Sequence, residues 1–206
     1  MIGGGNTCDR GGAGVAGGGG GIGDGGEDVL SGAAHWNTWD GAAYLVQGPI
    51  SGIVPLATAD AKVLGEDSGQ VGASLALGDL DGDGHADLVV GANEEFSDDG
   101  AVYIVYGPAS GVIPTPSADA RYHGATDSDH LGISVSAGGD VNNDSRADLL
   151  MGARFAGLQS AGTVYLDYGP HSGIESVATA NANFLGEEST SYAGQSVAVV
   201  PDVNGD

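Results

Sequence analysis

A repeat of about sixty residues governs what this chain can fold into. Gly48-Pro49 returns as Gly107-Pro108 and Gly169-Pro170, and Ser51-Gly52 as Ser110-Gly111 and Ser172-Gly173. Ala59-Asp60-Ala61 returns as Ala118-Asp119-Ala120 and, with Asn, as Ala180-Asn181-Ala182. Leu64-Gly65-Glu66 reappears at Leu185-Gly186-Glu187, and an acidic run opens at Asp79, Asp140 and Asp202. Several independent markers keep one register, so the chain is an array in which each unit covers its neighbour's apolar face.

Each unit reads as four strands. Val71 to Leu77 places Val71, Ala73, Leu75 and Leu77 on one face and Gly72, Ser74 and Ala76 on the other, and Leu131 to Ala137 repeats that alternation. A second strand is Asp87 to Ala92, matched by Asp148 to Ala153 and Asp28 to Ala33. A third is Ala101 to Tyr106, matched by Thr163 to Tyr168 and Ala42 to Val46; a fourth is Ala61 to Leu64, matched by Ala120 to His123 and Ala182 to Leu185. The second and third strands are apolar on both faces, so the sheets must be covered on both sides. Four-stranded sheets stacked radially meet that demand. The expected fold is all-β, a β-propeller of four-stranded antiparallel blades. A parallel β-helix uses shorter repeats, and no window holds a helical period.

Charge narrows the function. Of 206 residues, 28 are Asp or Glu and 5 are Lys or Arg, a formal net charge of -23. Such a chain does not neutralise phosphates, which argues against nucleic acid and against an anionic membrane surface. No run of 18 apolar residues exists to span a bilayer. The single cysteine, Cys8, makes neither an internal disulfide nor a thiolate zinc cluster.

The acid is concentrated in one loop of the repeat. Asp79-Leu-Asp81-Gly-Asp83-Gly-His85-Ala-Asp87 carries carboxylates at positions 1, 3, 5 and 9, and the second copy is Asp140-Val-Asn142-Asn-Asp144-Ser-Arg146-Ala-Asp148. So many carboxylates in nine residues repel one another unless a cation sits among them. Oxygen donors without Cys or clustered His suit Ca²⁺. The expected ligands are the side chains of Asp79, Asp81, Asp83 and Asp87, and of Asp140, Asn142, Asp144 and Asp148, with the backbone carbonyls of His85 and Arg146. An EF-hand needs a Glu at position 12, where Val90 and Met151 stand, and flanking helices. The alternative without a ligand is a solvated acidic turn. A third run, Asp202, Asn204 and Asp206, supplies positions 1, 3 and 5 and stops before position 9. In the first unit Gly20 and Ile22 stand where Asp79 and Asp81 do, so weak or no binding is expected there.

With these landmarks the sequence resembles the FG-GAP repeat of integrin alpha subunits and related bacterial proteins. The family's opening Phe-Gly stands here as Val71-Gly72, Leu131-Gly132 and Ala193-Gly194, and its closing Gly-Ala-Pro as Gly91-Ala92-Asn93 and Gly152-Ala153-Arg154. The resemblance covers residues 24–206. It implies a seven-bladed propeller with calcium on the hairpin joining a blade's first two strands, an extracellular or cell-surface setting, and a role in adhesion or recognition. The expected organisation is a glycine-rich segment over 1–23, a partial blade over 24–64, blades over 65–124 and 125–186, and the start of another over 187–206, with the rest of the propeller in a longer chain. The partner would be a protein or glycan ligand. The expected function is non-enzymatic, calcium-stabilised recognition; the competing expectation is the propeller portion of a larger secreted hydrolase or lyase.

The remaining candidates read as structural. None of His35, His85, His123, His130 and His171 stands in a catalytic arrangement, and the ring of His85 is expected in solvent. Trp36 and Trp39 are expected to pack between blades, and Tyr44, Tyr103, Tyr106, Tyr165 and Tyr168 to lie in the core. Glu94, Glu95, Asp98 and Asp99 read as a solvated tip. The tract before residue 24 is too rich in glycine to hold a regular element on its own propensities.

Overall fold

The structure is a computed structural model, and it describes residues 14–19 and 27–200. Three blades follow one another along the chain. The first contains β1 (Val15–Gly19), β2 (Glu27–Gly32), β3 (Ala42–Val46) and β4 (Ala61–Leu64). The second contains β5 (Ser74–Gly78), β6 (Asp87–Ala92) and β7 (Ala101–Val105), then a short strand β8 (Gly111–Pro114), then β9 (Ala120–His123). The third contains β10 (Leu131–Gly139), β11 (Asp148–Ala153) and β12 (Thr163–Asp167), then β13 (Gly173–Ser176) and β14 (Ala182–Leu185). Within each blade the four main strands are antiparallel, paired in chain order. This is the all-β propeller-blade architecture that the repeat predicts.

Two features differ from the sequence reading. The first is β1, which lies in the glycine tract and pairs with β2 from Val15↔Ser31 to Gly19↔Glu27. It occupies the first-strand position of the first blade, as β5 and β10 do in theirs. Glycine is a poor strand former alone, and here the ladder to β2 supplies the order. The second is the pair β8 and β13, which belong to no four-strand unit. Each leaves its own blade and adds, in parallel, to the outer strand of the preceding one: β8 to β4 and β13 to β9.

The blades meet face to face through apolar side chains. Val89, Val102, Ile104 and Tyr122 of the second blade pack on Leu131, Leu149, Met151 and Tyr165 of the third. Leu30, Ala43, Leu45 and Val63 of the first pack on Leu75, Leu88, Val90 and Tyr103 of the second. This double coverage explains why second and third strands read as apolar runs. Tyr44, Tyr103 and Tyr165 are buried as expected, whereas Tyr106 and Tyr168 are only half-buried. Trp36 packs on a small cluster with Ala33, Ala42 and Tyr44, but Trp39 is 48% exposed and lies against the His35 ring.

Between the blades, backbone meets backbone. A Cβ on Gly32, Gly91 or Gly152 would lie 2.0, 2.2 and 2.0 Å from the carbonyl oxygens of Gly72, Gly132 and Gly194 respectively. The glycines of the repeat therefore mark the seam where one blade's second strand touches the start of the next unit. Gly91→Ala is expected to destabilise the fold by about 1–3 kcal/mol through overpacking. At Gly17 an added Cβ meets only Asp28 O, at 3.7 Å, so Gly17→Ala is expected to be near neutral. Denaturant unfolding of the two variants checks this contrast.

Candidate metal centre

The acidic loops join β5 to β6 and β10 to β11, at the same end of neighbouring blades. Each is wound by its own carboxylates. Asp79 accepts from Gly82 N at 2.8 Å through Oδ1 and from Gly84 N at 3.0 Å through Oδ2. Asp81 accepts from Asp83 N, and Asp83 from His85 N. Gly82 and Gly84 take φ of +81° and +88°, conformations that favour glycine. The second loop repeats the pattern: Asp140 accepts from Asp144 N and Ser145 N, Asn142 from Asp144 N, and Asp144 from Arg146 N. Without glycine at its tight positions, it places Asn143 and Ser145 at φ of +64° and +70°.

The carboxylate at position 9 differs from the others because it is buried. Asp87 and Asp148 are both fully covered. Asp87 accepts from Leu80 N at 2.7 Å and from Gly107 N at 2.8 Å, so it ties the loop to the chain that leaves the third strand. Asp28 of the first blade accepts from Gly48 N in the same way. Asp148 accepts from Val141 N and Asn142 N through Oδ2, while its Oδ1 is buried without a hydrogen-bond partner among the described residues. Burial is the main reason the Asp87 carboxyl is pushed up to about 6; the neighbouring charges of Asp81 and Asp79 push the same way, against the two backbone donors. Burial raises Asp148 as well, helped by Asp144 and Asp140.

Asp79, Asp81 and Asp87 bring one ligand atom each within 4.8 Å of one another. Asp83 lies outside that group. In the second loop Asn142 stands in place of one acid and donates to Asp144 Oδ2 at 2.9 Å; no three-acid group forms there among the described residues. The two loops touch, with Ala147 N donating to Asp79 O at 2.8 Å. A side chain at Gly82 would meet the stem of Arg146 at 3.3 Å, which places that basic residue of the second loop beside the first. Asp202, Asn204 and Asp206 lie outside the described residues, as do Gly20 and Ile22. The ring of His85 departs from expectation: the residue is half-buried and its Nδ1 is shielded from solvent. The donor chemistry fits a hard cation. The oxygens are numerous, crowded and like-charged, and each carboxylate oxygen already holding one N–H keeps a further lone pair.

A second polar cluster was not read from the sequence. His171, Asp167 and Glu175 stand where the preceding repeat has Ala109, Val105 and Ile113. Tyr122 Oη lies 2.7 Å from His171 Nδ1 and donates to Glu175 Oε2 at 3.2 Å. Tyr106 Oη accepts from His171 N at 3.2 Å. His171 is buried, and desolvation lowers its pKa against the opposing pull of Asp167, Glu175 and Asp148. The usable signal was a break in the repeat rather than a motif. Glu95 also departs from the solvated-tip reading: it is buried beside Tyr103 and Arg121, and desolvation raises its carboxyl.

A histidine with a depressed folded pKa stabilises the fold above its unfolded pKa and loses that contribution as pH falls through the folded value. Between pH 7 and pH 5 the native chain is therefore expected to lose melting temperature relative to His171→Gln, while Asp87, raised by burial in the folded chain, gains a proton and acts in the opposite direction in both proteins. Scanning calorimetry in chelator across that range checks the difference in slope.

The FG-GAP repeat family matches residues 71–105 and 131–167. Integrin alpha-3 of Mus musculus is 36% identical over 107 residues, covering 50% of this chain and 10% of that protein. Integrin alpha-7 of Mus musculus is 35% identical over 138 residues, covering 63% of this chain and 11% of that protein. Integrin alpha pat-2 of Caenorhabditis elegans is 26% identical over 173 residues, covering 76% and 14%. The chain spans about a tenth of the length of these relatives. The matched segments begin just before β5 and at the start of β10, cross an acidic loop and end on the third strand of their blades.

Proposed function

From its two FG-GAP repeats and their likeness to integrin alpha subunits we propose that this chain is a non-enzymatic, calcium-stabilised recognition module of the integrin alpha type, working outside the cell or at its surface. The observation that carries the reading is the convergence of Asp79, Asp81 and Asp87 within 4.8 Å on the β5–β6 hairpin of an FG-GAP repeat. Asp83 and the carbonyl of His85 would complete the first set when Ca²⁺ binds. Asp140, Asn142, Asp144, Asp148 and the carbonyl of Arg146 would form the second, and Asp202, Asn204 and Asp206 would begin a third. The role assigned to the cation is structural: it neutralises the loop charge and fixes each hairpin against the buried carboxylate of position 9. The partner class that follows is a protein or glycan presented outside the cell. The likeness to integrin alpha subunits supports an adhesive role, and the net charge of -23 argues against nucleic acid. Among the described residues no helix is long and apolar enough to cross a membrane.

Calcium that binds the folded chain alone stabilises it by about 2.7 kcal/mol per site at a hundredfold excess over the dissociation constant. Scanning calorimetry in calcium and in chelator is expected to show a higher melting temperature with calcium. Asp79→Ala should lose about half of that increment, and Asp79→Ala combined with Asp140→Ala nearly all of it. A melting temperature that calcium leaves unchanged in the native chain contradicts the proposal.

A further inference from the structure

The two acidic loops lie side by side, and one residue serves both. Arg146 stands at position 7 of the second loop, where its backbone N–H donates to Asp144 Oδ1 at 2.9 Å. Its side chain leaves that loop and crosses the first. A Cβ built on Gly82 would lie 3.3 Å from Arg146 Cγ and 3.4 Å from its Nε, so both the stem and the guanidinium rest against Gly82. Gly82 stands between Asp81 and Asp83, and its N–H is held by Asp79 Oδ1 at 2.8 Å. A residue without a side chain at this point is what admits the arginine.

The crossing is anchored on both sides. Next along the chain, Ala147 N donates to Asp79 O at 2.8 Å, and Asp148 is buried. At the stems of the loops, a Cβ on Gly78 would lie 2.8 Å from Gly138 N and 3.0 Å from Ala137 Cβ, so β5 and β10 are in close backbone contact there. The charge also falls where the acid is densest. The first loop carries four carboxylates, Asp79, Asp81, Asp83 and Asp87; the second carries three, with Asn142 in place of one. The whole chain has only 5 Lys or Arg, and one of them is spent here. A cation beside like-charged carboxylates relieves their repulsion, and it opposes a second cation that arrives among them.

We propose that Arg146 is a resident counter-cation of the neighbouring blade's loop: it steadies the 79–87 loop when calcium is absent, and it lowers the affinity of that loop for calcium. This role rests on the reading of the 79–87 loop as a calcium site. Position 7 of the second loop then acts twice. Its carbonyl serves its own loop as an expected ligand, and its side chain tunes the loop next door.

Calcium titration followed by NMR tests this loop by loop, because the amides of Gly82 and Gly84 report the first loop and those of Asp144 and Ser145 the second. Arg146→Met keeps an apolar stem on Gly82 and removes the charge; Arg146→Lys keeps the charge. At low ionic strength Arg146→Met is expected to bind calcium about three- to tenfold more tightly at the first loop, with a smaller change at the second, and Arg146→Lys to stay near native. High salt should shrink the difference. In chelator at low salt, Arg146→Met should melt below the native protein and Arg146→Lys close to it. Equal first-loop affinity in the native chain and Arg146→Met overturns the proposal and leaves the calcium reading in place. So does a gain that is larger at the second loop, an Arg146→Lys that behaves like Arg146→Met, or a melting temperature in chelator that Arg146→Met leaves unchanged. Amides of both loops that calcium does not move in the native chain overturn the calcium reading and this proposal with it.

Discussion

The seam between blades has no room for a Cβ, and the rest of the structure depends on that restriction. At Gly32, Gly91 and Gly152 the second strand of one blade touches a backbone carbonyl of the next unit, so only glycine fits. A side chain there would push the sheets apart and uncover the faces formed by Val89, Tyr122, Leu149 and Met151. Those faces, with the equivalent ones between the first and second blades, hold most of the buried apolar residues, and hydrophobic burial is the main favourable term in folding. Among the described residues, glycine is thus concentrated where backbone must approach backbone, in tight loops, and in β1.

Close stacking also decides where the charge goes. Because blades repeat at a fixed separation, equivalent loops fall beside one another, and the second acidic loop donates a backbone N–H to the first. At position 9, Asp87 and Asp148 are buried at the start of the second strand, and Asp28 occupies the equivalent place in the first blade. Asp87 and Asp28 also hold the chain leaving the third strand, through Gly107 N and Gly48 N. These carboxylates therefore serve packing as well as ligation. Burial and like-charged neighbours both oppose ionisation of Asp87, which is the electrostatic setting that a bound cation relieves.

Much of this was legible in the sequence because the repeat supplies the same message several times. The fourth strands at Ala61–Leu64, Ala120–His123 and Ala182–Leu185 emerge with the boundaries read from the residues. The winding of the acidic loops follows from Asp, Asn and Gly at fixed offsets. The sequence was silent where order comes from a partner strand. Residues 15–19 have almost no strand propensity, and Gly111–Pro114 looks like a linker; both become strands because a neighbouring edge is available. Val71, read as the start of a strand, instead makes a single bridge to Gly41 before β5 opens at Ser74. Burial of Glu95 and His171 was missed for a related reason, since periodicity locates apolar faces and says little about polar groups that fill gaps between blades.

The central claim is that the acidic hairpins of the two FG-GAP repeats hold calcium. A crystal structure grown with calcium and examined by anomalous scattering tests it most directly. The account predicts a peak inside the 79–87 loop, about 2.3–2.6 Å from oxygens of Asp79, Asp81, Asp83 and Asp87 and from the His85 carbonyl, with a second peak in the 140–148 loop. A well-ordered 79–87 loop with no such peak at millimolar calcium would contradict it.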